Sequence, residues 1–173
     1  MKLSSLKEGD CPEYYLPYLK VLGDSNLTDL MERQMGNFPQ FIQSIPEELL
    51  HHRYAPDKWS VAEVLVHVLD TERIFQYRAL RFGRGDTTPL PGFDQDTYVP
   101  QSLAENQSID TLVQEYKVIR ESTLLLFKSF PEDRFLFKGN ASGQGISLGA
   151  LGFIICGHQK HHRNILRERY LER

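Results

Sequence analysis

Proline has no amide hydrogen and its ring collides with the preceding helical turn, so its distribution marks where long helices can run. Here prolines stand at positions 12, 17, 39, 46, 56, 89, 91, 100 and 131, leaving proline-free runs at 57–88, 101–130 and 132–173. Each run holds several helical turns, and none alternates apolar and polar residues as a half-buried strand would. A shorter, less regular candidate lies between Ser25 and Ser44. A chain of 173 residues suits one domain, 1–173, around a single sizeable core.

Start signals and apolar periodicity define four helices. The first begins after Asp24-Ser25-Asn26 and carries Leu27, Leu30, Met31, Met35, Phe38 and Ile42 at helical spacing, with Pro39 expected to kink or end it. In the second, Ser60 and Glu63 form a capping box, Trp59 packs back as a staple, and Val61, Val64, Leu65, Val68, Leu69 and Phe75 make the stripe. Residues 82–104, rich in glycine and proline, form a long loop of the kind that lines or covers sites. The third helix spans about Ser108 to Phe130, and 139–145 reads as a flexible connector. The fourth begins near Ser147 and runs almost to the end. Four amphipathic helices without strands make an all-α four-helix bundle with a long loop between helices 2 and 3.

Charge and composition narrow the function. Twenty Lys+Arg against 23 Asp+Glu give a net charge of −3, which argues against a nucleic-acid binder. The apolar stretch Ile146 to Cys156 is 11 residues, too short for a bilayer, so no membrane partner is expected. The start, Met1 to Glu8, lacks an apolar secretory core, and a cytoplasmic location is the expectation. Two cysteines make no disulfide framework, and Cys156 reads as a small packed hydrophobe.

The chemistry gathers on histidines. The stripe of the fourth helix runs Leu148, Leu151, Ile155, His158, His162, Ile165, Arg169, so imidazole interrupts an apolar line. His158 and His162 are four residues apart and share one face, a spacing from which a helix can give two nitrogens to one metal ion. His67 lies mid-helix among Val64, Leu65, Val66 and Val68, and a polar group at such depth needs a partner on a facing helix. Three neutral imidazoles would make a facial site with open positions, as catalytic metals require. Hydrogen-bonded core histidines fit the same pattern, and spacing alone leaves both readings open.

The segment Lys58-Trp59-Ser60-Val61-Ala62-Glu63-Val64, followed by His67, Asp70, Glu72, Arg73 and Phe75, resembles the signature of the DinB-like, YfiT-like superfamily. So do 78–86, 89–94 and the closing Gly157-His158-Gln159-Lys160-His161-His162, and together the likeness covers about residues 13–171. It implies a four-helix bundle, commonly a homodimer, holding zinc or nickel on three histidines, which map onto His67, His158 and His162. It further implies a transferase that activates a low-molecular-weight thiol toward a small-molecule substrate, or a hydrolase using metal-bound water. A non-catalytic metal-binding stress-response bundle is the third possibility. His161 is assigned to the rim of the site. Asp70 or Glu63 could serve as base or orient His67, although the capping box is the favoured duty of Glu63. Arg78 and Arg81 read as a solvated or salt-bridged helix end, or else as a cradle for the carboxylates of a thiol cofactor.

Overall fold

Each long helix starts where a side chain takes up an amide that the first turn leaves unpaired. In the computed structural model, which describes residues 1–171, Asn26 accepts from the Thr28 amide, Ser60 from Glu63, Ser108 from Thr111 and Ser147 from Ala150. These caps open α2 (Leu27–Gln43), α3 (Val61–Gly83), α5 (Ile109–Lys128) and α6 (Leu148–Ile165). Both halves of the capping box at Ser60 and Glu63 are formed. Short helices α1 (Leu16–Lys20) and α4 (Gln95–Tyr98) lie outside the bundle, and a π-helical turn, Leu166–Leu171, extends α6. Within the bundle α2 packs on α5, and α3 on both α5 and α6, while α1 crosses α6.

The long loop and the connector differ from the sequence expectation. Residues 138–147 form an antiparallel hairpin, β1 (Lys138–Ala141) with β2 (Gln144–Ser147), in place of a flexible connector. Its two-residue turn, Ser142-Gly143, has positive φ at both positions, which matches the twist of the flanking strands. The loop after α3 is anchored to it: the Leu90 amide donates to the Asn140 carbonyl at 3.0 Å, and the Ser142 amide donates to the Leu90 carbonyl at 3.0 Å. Pro39 neither breaks nor shortens α2, which continues to Gln43. The missing amide leaves the Met35 carbonyl without its helical donor, a local cost that the packing of the helix around the buried proline ring outweighs.

The buried interior is apolar at its two ends and polar across the middle. One cluster gathers Leu27, Met31, Phe82, Phe127 and Leu151; the other gathers Phe38, Val61, Leu65, Leu112 and Leu166. Between them a single network joins the four helices. Arg120, fully buried, donates through Nε and Nη2 to the two Glu72 carboxylate oxygens, each at 2.8 Å, and through Nη1 to Gln34 Oε1 at 2.7 Å. Gln34 Nε2 donates in turn to the Cys156 carbonyl at 2.9 Å. Cys156 is itself buried, and burial pushes its thiol up to about 12.

Removing one partner of a buried, bidentate ion pair leaves the other charge stranded, which typically costs about 3–5 kcal/mol. Arg120→Ala should therefore lower the unfolding free energy by roughly that much in urea titrations. Replacing the pair together, as Glu72→Leu with Arg120→Met, should cost less than either single truncation.

Candidate metal centre

His67 comes from the N-terminal third of α3, and His158 and His162 from successive turns of α6, so the α3–α6 contact brings the three together. His158 Nε2 lies 3.0 Å from His67 Nε2 and 3.1 Å from His162 Nε2. Within the described residues these three form a group whose ligand atoms all lie within 4.8 Å of one another. His67 is braced on one side by the Trp59 ring, with centroids 4.9 Å apart, while Thr71 Oγ1 stands 3.5 Å from its Nδ1.

Burial decides the charge state of the cluster. It pushes His67 down to about 4, and it holds His158 and His162 well below the ordinary histidine value, where mutual repulsion among the rings lowers them further. All three are thus neutral near pH 7. A neutral imidazole has one N–H, so a proton on His158 Nε2 could serve only one of its two close nitrogen neighbours. The other nitrogen would be left without a partner at hydrogen-bond distance in a mostly buried setting, an arrangement that a shared cation relieves. Nitrogen ligands about 2.0–2.1 Å from a zinc ion stand roughly 2.9–3.4 Å apart for angles between octahedral and tetrahedral, and the observed spacings fall in that interval. The donor set fits a divalent ion.

Two cavities reach the cluster. The larger, about 710 Å³, has His158 on its lining with Tyr14, Tyr15, Tyr18, Thr71 and Phe75. The smaller, about 460 Å³, has His162 with Tyr54, Lys58, Trp59 and Tyr170. Asp96, on α4, lines both. The approach of α1 depends on Gly157, where a Cβ would sit 2.1 Å from the Tyr18 carbonyl oxygen. That contact sets the Tyr18 ring edge-on to His158 and to His161, at 5.3 and 5.2 Å.

The other sequence-selected residues occupy distinct places. His161 is half-buried, edge-on to Tyr18 and His162, with burial lowering its pKa, and it stands outside the group of three. Glu63 closes the capping box and pairs with Arg53 at 2.7 Å; Asp70 pairs with Arg73. Arg78, 2% exposed, donates through Nη2 to the Pro91 carbonyl and Ser142 Oγ, and so holds the loop and the hairpin against α3. Arg81 pairs with Asp86 on the surface. Glu72, from the same segment of α3, is the buried partner of Arg120. Sequence reasoning passed over Tyr18, Thr71 and Asp96. Thr71 carries a signal, being one helical turn after His67; Tyr18 and Asp96 arrive from segments whose docking has no periodic signature.

The family model described as the DinB superfamily matches residues 30–166 of this chain. Among solved structures, YfiT from Bacillus subtilis, described as "a probable metal-dependent hydrolase with an unusual four-helix bundle topology", aligns with a TM-score of 0.69 and 14% identity, covering 95% of this chain and 90% of that one. At that identity the likeness shows a shared fold. No curated protein matches the chain.

Burial acts to raise the Glu63 carboxyl pKa, but the Ser60 amide and the Arg53 guanidinium outweigh it and hold the group below its ordinary value of 4.5. The stabilisation from the charged carboxylate is therefore complete above that value and fades as pH falls through the lower, folded-state value. Glu63→Gln should cost about 1 kcal/mol at pH 7. That difference should vanish in unfolding curves taken at acid pH, while metal uptake at pH 7 stays at the parent level.

Proposed function

We propose that this chain, which belongs to the DinB superfamily, is a metal-dependent transferase that activates a low-molecular-weight thiol at a centre formed by His67, His158 and His162. The observation that carries this reading is the convergence of three neutral Nε2 atoms at 3.0 and 3.1 Å, from His67 and His158, which are buried, and His162, which is partly so. A divalent ion held there, zinc or nickel, would keep its full charge because the ligand set has none, and would supply a Lewis acid able to lower the pKa of a coordinating thiol or water. The chain itself contributes the dry, aromatic surroundings and the fixed orientation of the rings. Thr71 stands beside the free nitrogen of His67, the place from which a hydrogen-bond partner holds a ligand's tautomer.

Two features favour transfer over hydrolysis. Asp70 and Glu63, the carboxylates nearest His67 in sequence, are spent on Arg73 and on the cap with Arg53, so neither is free as a base for water, and the unpaired Asp96 on the cavity linings is solvent-exposed on α4. The pair of cavities, one at His158 and one at His162, gives two small molecules separate approaches to the same centre. Hydrolysis remains the second reading, supported by the description of YfiT. A cytoplasmic homodimer belongs to the same proposal; among the described residues no helix is long and apolar enough to cross a membrane, and Tyr77, Leu80 and Leu125 are exposed apolar side chains available to a second copy.

Elemental analysis of untagged protein prepared without chelators should find about one zinc or nickel per chain. His67→Ala and His162→Ala should each lose most of it while keeping the helical circular dichroism. Thiols should then shift the visible bands of a cobalt-substituted sample. A parent that takes up no metal when supplied with zinc or nickel would refute the proposal; a loaded parent whose bands ignore thiols would favour hydrolysis.

A further inference from the structure

The larger cavity has a one-sided charge. Its floor is His158, 6% exposed and part of the converging cluster, and its walls are the rings of Tyr14, Tyr15, Tyr18, Phe75 and Phe93. The charged residues on its lining are Glu13, Asp94 and Asp96, with no lysine or arginine among them. Among the described residues, the Glu13 and Asp96 carboxylates enter no ion pair and accept no hydrogen bond from another side chain. Arg78, 2% exposed, lies behind Phe75 and Phe93, with its guanidinium carbon 5.2 Å from the Phe75 centroid and 5.9 Å from that of Phe93, and its Nη2 is taken up by Ser142 Oγ on the lining and by the Pro91 carbonyl. The tyrosine hydroxyls stay protonated, burial pushing that of Tyr18 up to about 12, so the carboxylates are the anions of the cavity.

Rings beside carboxylates are the surroundings that bind organic ammonium groups, through the ring quadrupole and direct charge attraction. We propose that this cavity selects small molecules bearing a cationic amine, the amine held among Glu13, Asp96 and the tyrosine rings while the reactive end reaches His158. A volume of about 710 Å³ suits a ligand of drug-like size. The inference rests on the reading above for the nature of the reactive end. The expectation of a carboxylate cradle at Arg78 points the opposite way, and one experiment separates them.

Full-length cobalt-loaded protein is titrated at low ionic strength with cysteamine, 2-mercaptoethanol and 3-mercaptopropionate, which pair a thiol with an amine, a hydroxyl and a carboxylate. Cysteamine should bind about tenfold more tightly than 2-mercaptoethanol, with 3-mercaptopropionate weakest. Because cysteamine has the more acidic thiol, the deciding quantity is how the ratio changes in Glu13→Gln/Asp96→Asn. It should fall to about twofold with cobalt stoichiometry unchanged, and added salt should narrow it in the parent alone. A ratio untouched by the double substitution, or 3-mercaptopropionate binding tightest, would overturn the inference and leave the thiol reading intact. If no thiol moves the cobalt bands, the thiol reading falls instead. Calorimetry with phenethylamine against 2-phenylethanol then decides the amine question, and equal binding or none would overturn it.

Discussion

The fold turns on a charge that has no route to water. Arg120 sits at the centre of the bundle, and every acceptor it needs comes from another helix: Glu72 from α3 and Gln34 from α2, with Gln34 passing the constraint on to the Cys156 carbonyl of α6. Apolar packing tolerates small slides of one helix along another, because one methyl contact substitutes for the next. A buried guanidinium does not, since each displaced partner leaves a polar atom unsatisfied in a low-dielectric interior. The network therefore sets the axial register of all four long helices, a specifying role that buried polar groups can play even where they add little net stability.

The histidines belong to the same transverse layer. Glu72 follows His67 by five residues on α3, and Cys156 precedes His158 by two on α6, so the contacts that fix Glu72 and the Cys156 carbonyl also fix the heights of the two facing rings. The outer walls are built differently. Arg78 binds the 89–93 segment and the hairpin turn to α3, and Gly157 lets α1 lie in backbone contact with α6. A rigid interior thus presents the rings, while separate surface segments shape what reaches them.

Much of this was legible in the sequence because helix caps and periodic stripes are local signals. Ser60 with Glu63, Ser108 and Ser147 each mark a helix start that the structure has, and the stripe through Leu148, Leu151, Ile155 and His158 is buried, with His162 partly so. The Arg120 network was not legible, although Arg120 lies one turn from Tyr116 on the buried side of α5. Arginine ordinarily signals a solvated face, and only its pairing with residues 48 and 86 positions away makes burial tolerable. The hairpin at 138–147 escaped for a related reason: its strands are four residues each, too short for alternation to show, and beyond their pairing with each other they are anchored by Leu90 from the long loop. The cavity walls likewise depend on contacts between distant segments.

Two of the three histidines share one helix, at a spacing fixed by the helix itself; only His67 crosses from α3. Affinity for an ion held at this centre would therefore be a gauge of the gap between α3 and α6. Thermodynamic reciprocity would make the dependence mutual: whatever pried these helices apart would weaken the hold on such an ion, and the bound ion would resist the prying by the same free energy. Occupancy of the centre would then be felt as mechanical stiffness along the whole α3–α6 seam, from the cap at Ser60 to the hairpin that leads into α6.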